Sequence, residues 1–125
     1  MRVGVSFYLV GDTKKATRIY SRLFETEPFL ADGDWVEFSL EGGNVALHAD
    51  PELKETNGAD QTVPFRGGAI VSFRVPDVRA ALDRALTAGF EQVGGLNVQP
   101  YGTIANLRDP WGNRLSVMEP PPVAP

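Results

Sequence analysis

Val5-Ser6-Phe7-Tyr8-Leu9-Val10-Gly11-Asp12 and Ile70-Val71-Ser72-Phe73-Arg74-Val75-Pro76-Asp77 are the two stretches that decide the fold. Each opens with six residues suited to a strand and closes on an aspartate suited to cap a helix. After Asp12, Ala16, Ile19, Tyr20, Leu23 and Phe24 recur at the spacing of one helical face, and Pro28 bounds that helix. After Asp77, Val78, Ala81, Leu82, Ala85 and Leu86 recur at the same spacing, and Gly89 is a good stop. The two caps stand 65 residues apart. Three strand-like stretches follow each helix. In the first half they run over 28–31, 35–41 and 45–49, the last two joined by Gly42-Gly43. In the second they run over 90–94, 101–108 and 114–119, the last two joined by Asp109-Pro110-Trp111-Gly112-Asn113. The chain thus reads βαβββ twice, and a repeat of this kind is a stronger fold signal than any single element.

Working outward, the repeat fills a chain of 125 residues, the size of one ordinary domain. Module one is expected over 3–49, a polar linker over 50–67, module two over 68–119 and a Pro-rich tail over 120–125, all within one domain spanning 1–125. Apolar residues make up 42%, which argues against disorder. Sixteen acidic and 12 basic side chains leave a net charge of −4. That balance speaks against a nucleic-acid partner and mildly favours neutral or cationic ligands. There is no cysteine, so disulfides, thiolate metal sites and cysteine nucleophiles are excluded. One histidine, His48, leaves no two-histidine metal site within a single chain. The apolar run Val3–Val10 is too short to span a membrane and lacks a cleavage motif. The expectation is a cytoplasmic protein with no membrane partner.

The duplication, the strand-to-Asp-to-helix starts and the hairpin Leu107-Arg108-Asp109-Pro110-Trp111-Gly112-Asn113-Arg114-Leu115 resemble the vicinal oxygen chelate superfamily. That family holds glyoxalase I, extradiol dioxygenases, fosfomycin-resistance enzymes and the bleomycin-resistance binding proteins. The resemblance covers 3–119, with Trp111 where the family usually has Asp. It implies an α+β fold: two βαβββ modules whose curved sheets surround a cup, with the helices on the outer face.

The resemblance also says where a metal would sit. One ligand of each module lies on its first strand, seven residues before the capping Asp, and another on its last strand, facing the cup. Those positions here are Val5, Ala46, Ile70 and Ser116. Three offer no donor, and serine is rarely a lone ligand. The expectation is a protein with no metal and no other cofactor.

Alternation along the strands assigns the cup-facing side chains. Phe7, Trp35, Glu37 and His48 come from module one, and Arg74, Asn106, Arg114, Ser116 and Met118 from module two. A mostly apolar surface with a few convergent polar groups suits a small-molecule site. Each residue also has a plainer reading. Phe7 suits wall or dimer packing as well as ligand contact. Trp35 suits stacking on a planar ligand or closing the core. Arg74 and Arg114 suit solvent, a charge partner for Glu37, or a ligand, and Trp111 suits a surface or dimer role. A two-residue hairpin closed by Glu41 and Asn44 places Glu37 directly opposite His48. That pair reads as a structural bond, a polar anchor for a ligand, or a general-base dyad.

These readings point first to a metal-free homodimer that binds an aromatic natural product or antibiotic by sequestration, as the bleomycin-resistance proteins do. The rival is a lyase, isomerase or dioxygenase-like enzyme using Glu37 and His48.

Overall fold

The computed structural model describes residues 1–56 and 68–122. Of the expected linker, 57–67 lie outside the described residues, as do 123–125 of the tail. The chain divides into two compact units, one running Met1–Glu55 and the other beginning at Thr56. Each is one βαβββ module with a four-stranded mixed sheet.

The first unit holds β1 (Val5–Val10), α1 (Thr13–Phe24), β2 (Leu30–Asp32), β3 (Trp35–Leu40) and β4 (Gly43–Ala49), with sheet order β1-β4-β3-β2. Asp12 starts the helix because its carboxylate accepts the backbone N–H groups of Lys14 and Lys15, at 2.9 and 3.2 Å. Ala16, Ile19, Tyr20 and Leu23 are buried, and Phe24 is half-buried. The sheet presents Tyr8, Val10, Val36, Phe38, Val45 and Leu47 as its buried face. Tyr20 stacks on Tyr8 at 5.8 Å between centroids, and Phe24 meets Phe38 edge-on at 5.2 Å. Every other residue of β1, β3 and β4 is therefore committed to the helix side, and the residues between them face away.

The second unit repeats the plan with β5 (Val71–Arg74), α2 (Val78–Ala88), β6 (Glu91–Gln99), β7 (Gly102–Arg108) and β8 (Arg114–Glu119), in the order β5-β8-β7-β6. Asp77 caps α2 as Asp12 caps α1, accepting from Arg79 and Ala80, both at 3.1 Å. Glu119 adds a carboxylate bond to the Val78 N–H at 3.0 Å. The buried stripe is Val78, Ala81, Ala85 and Ala88, against Ala105, Leu107, Leu115 and Val117. Leu86, expected in that stripe, is 44% exposed, because Ala88 occupies the next inward position.

Three expectations need correction. The first-module hairpin closes at Leu40 and Gly43, not at Glu41 and Asn44. Gly42, with φ +91°, supplies the positive φ that a turn with Glu41 and Gly42 at its centre requires. The strand expected over 90–94 runs on to Gln99. Gly94 and Gly95 lie where the register with β7 shifts between Val93 and Asn97, so they form a bulge rather than an end. Trp111, expected in a surface or dimer role, is only 6% exposed within the chain. Among the described residues no helix is long and apolar enough to cross a membrane.

Candidate functional site

The face of the first sheet turned away from α1 carries Phe7, Trp35, Glu37 and His48. Three of these are rings, and they meet one another. Phe7 and Trp35 lie 5.4 Å apart between centroids, Trp35 and His48 5.5 Å, and Phe7 and His48 6.1 Å, all steeply inclined. Register explains the cluster. β4 runs between β1 and β3, and Ala46 pairs with Phe7 on one side and Glu37 on the other. The methyl of Ala46, fully buried, leaves room for rings from both neighbouring strands to converge above it. His48, two residues further along, pairs with Trp35.

Glu37 therefore does not stand opposite His48. Its cross-strand partner is Ala46, and its carboxylate is held by neutral donors. The Trp35 indole Nε1–H donates to Oε1 at 2.8 Å, and the Asn44 side-chain amide donates to Oε2 at 2.8 Å. Glu37 and His48 share a face but form no dyad. The His48 Nδ1 atom is buried without a hydrogen-bond partner among the described residues.

The corresponding face of the second sheet is more polar. Ser116, buried, is flanked by Ser72 on β5 and Asn106 on β7. Met118 is flanked by Arg74 and Ile104, and Arg114 by Arg108. Arg74 is exposed; Asn106, Arg114 and Met118 are half-buried.

Arg108 was not among the expected site residues. It is only 2% exposed, donating to Glu91 Oε2 at 3.0 Å and to Thr56 Oγ1 at 3.2 Å. Its signal was the same alternation that marks Ile104 and Asn106, carried one step further to the end of β7. Asn44 was missed because the misplaced turn made it a loop residue. Beside Arg108, the Asp109 carboxylate accepts from the backbone N–H groups of Trp111 and Asn113 and from the Asn113 side chain, at 2.8–2.9 Å. This network is what fixes the Asp-Pro-Trp-Gly-Asn turn ahead of β8.

The register also settles which positions correspond between modules. Phe7 and Ser72 each stand five residues before their caps. Phe7 pairs with Ala46 and Ser72 with Ser116, so Ala46 and Ser116 are equivalent and His48 matches Met118. His48 is thus one position removed along that face from Ala46, the position the resemblance assigns to a ligand. Val5, Ala46, Ile70 and Ser116 do not fit a divalent ion: three are hydrocarbon, and Ser116 is a neutral hydroxyl. Among the described residues no three His, Asp or Glu side chains gather into a metal-holding group.

Comparison with known proteins agrees with this fold. Among curated proteins none matches the sequence. A glyoxalase-related enzyme from Fulvimarina pelagi has a similar structure, with a TM-score of 0.75 at 20% identity over 98% of this chain and 92% of that one. A glyoxalase/bleomycin resistance protein from Albidiferax ferrireducens T118 gives 0.73 at 15% identity, covering 95% and 98%. A bleomycin resistance determinant encoded on the transposon Tn5 gives 0.66 at 17%, covering 96% and 98%. These likenesses carry the fold. The family model of the Glyoxalase/Bleomycin resistance protein/Dioxygenase superfamily matches residues 3–117, nearly the whole length, and the chain belongs to that superfamily.

Proposed function

We propose that the protein binds a mid-sized aromatic organic molecule without a metal and without chemistry, acting by sequestration. The observation that carries this reading is the ring cluster of Phe7, Trp35 and His48 beside a fixed Glu37 carboxylate. Apolar ring surface supplies most of the contact free energy for a planar ligand, and one or two oriented polar groups set its pose. Arg74, Asn106, Arg114, Ser116 and Met118 are proposed as the second module's ligand contacts. The likeness to the Tn5 determinant supports a resistance role through the fold alone.

The enzymatic alternative assigns general-base work to Glu37 and His48. A base of that kind needs a partner that holds its tautomer. His48 Nδ1 has none among the described residues, and both Glu37 oxygens are engaged by Trp35 and Asn44. The geometry therefore favours binding. We also propose a cytoplasmic homodimer: Phe7 is 53% and Leu9 42% exposed on β1, an edge strand of its sheet, and such an edge is usually covered. Light scattering at micromolar concentration tests the dimer, which a monomer rejects.

The functional test is a thermal-shift and tryptophan-fluorescence screen against planar natural products, with mass spectrometry of the recovered ligand. A ligand at 100 times its Kd adds about 2.7 kcal/mol to stability. Binding with the ligand returned intact, lost in Trp35→Ala, supports sequestration. A converted product moves the enzyme reading to first place, and no response across the panel rejects both.

A further inference from the structure

The ring cluster sits in an acidic setting. Glu37 lies two residues from Trp35 on β3, and Asp32 on β2 pairs with Trp35 across the strands, on the same face. No Lys or Arg stands on this face of β1 to β4. No cation of the first unit pairs with Glu37, whose two bonds come from neutral donors. Those two bonds fix the carboxylate's direction without neutralising its charge. Trp is the strongest aromatic partner for a cation, and a second ring and an imidazole lie within 6.1 Å of one another beside it.

From this we infer that the corner formed by Phe7, Trp35, His48 and Glu37 receives the cationic nitrogen of an organic ligand, a methylated ammonium or protonated amine carried on an aromatic body. The inference rests on the reading of this face as a ligand site and names the ligand's class. The hydrogen-bonding capacity of Glu37 is already partly met. The group that fits therefore brings charge and apolar surface rather than a fork of donors, which sets an alkylated ammonium above a guanidinium.

Two probes of equal shape separate charge from shape: 4-(trimethylammonio)phenol and 4-tert-butylphenol. Binding is followed by calorimetry and by the NMR shift of the Trp35 indole N–H, with the Trp111 indole as internal control. The cation is expected to bind about 10-fold more tightly than its neutral twin, with the preference shrinking in salt. Glu37→Gln keeps the local bonds, because its amide oxygen accepts from Trp35 and its NH2 donates to a rotated Asn44. That variant should lower cation affinity to the level of the neutral probe and leave the neutral probe unchanged. Asp32→Asn, at an exposed position, should reduce the preference by a smaller factor without touching the Trp35 bond. Equal affinity for both probes, each shifting Trp35, overturns the cationic class and leaves the ligand site standing. No shift at Trp35 from either probe overturns both.

Discussion

Replacing Ala46 by Glu installs a carboxylate at the β4 position that the resemblance assigns to a metal ligand. Ala46 is fully buried, with Phe7 and Glu37 as its cross-strand partners and the Phe7 and Trp35 rings 5.4 Å apart around it. The longer side chain has to push those rings apart, and overpacking of this kind costs about 1–3 kcal/mol. It also sets a second carboxylate directly across from Glu37, and facing like charges add up to about 1 kcal/mol more. The expected loss is about 1–4 kcal/mol. For a domain of this size that is a fall in Tm of about 4–15 °C. Thermal unfolding by near-ultraviolet circular dichroism measures it, with and without Zn²⁺ or Mn²⁺. Because Val5, Ile70 and Ser116 complete no ligand set, neither ion should restore the lost stability. A loss under about 1 kcal/mol, or recovery on adding metal, would refute the β4 register and the metal-free site with it.

Asp109→Ala takes a buried carboxylate acceptor from the Trp111 and Asn113 backbone N–H groups and the Asn113 amide; a loss of about 3–5 kcal/mol in urea unfolding is expected, and less for Asp109→Asn, which keeps an acceptor. Glu91→Ala removes the Glu91 carboxylate from the buried Arg108 guanidinium and should cost about 1–3 kcal/mol, moderated because the Glu91 side chain is 35% exposed. The double variant Glu91→Ala with Arg108→Met should recover most of that loss in the same assay; additive losses would contradict the pairing.

The legible parts of the sequence were those where one residue type has one physical use. An aspartate after six strand formers, followed by apolar residues at helical spacing, leaves little choice, and both α1 and α2 begin where Asp12 and Asp77 place them. Faces were also legible. The hairpin was misplaced, so every partner of β3 along β4 moved by two positions. Strand alternation has a period of two, so Trp35, Glu37 and His48 kept their side of the sheet while Glu37 lost His48 as its partner. Register was less legible because two consecutive glycines allow the turn to start at either of two places. What decides is the backbone: a single positive φ at Gly42 serves a turn with Glu41 before it. Gly94-Gly95 misled for a related reason, since glycine marks a strand end and a bulge alike.

The comparison between modules bears on where the proposed site lies. Helix-facing positions keep one character in both copies: Val45 and Leu47 on β4 match Leu115 and Val117 on β8, all buried. Their chemistry is dictated by the need to pack a helix, so it is repeated. The opposite face carries no such demand. There Phe7 corresponds to Ser72, Leu9 to Arg74, Ala46 to Ser116 and His48 to Met118. Glu37, across from Ala46, corresponds to Asn106, across from Ser116. The first module's open face is aromatic and acidic, while the second's is polar with basic residues at Arg74, Arg108 and Arg114. If these differences were drift on a solvated surface, the exchanges would be between polar residues of similar kind. Instead rings and a carboxylate in one copy answer hydroxyls, an amide and guanidinium groups in the other, and the buried members Ala46, Ser116 and Arg108 lie on these faces, not on the helix side. The asymmetry lies on the side of each sheet that its helix does not cover, and in the first module that is the side where the ligand site is proposed.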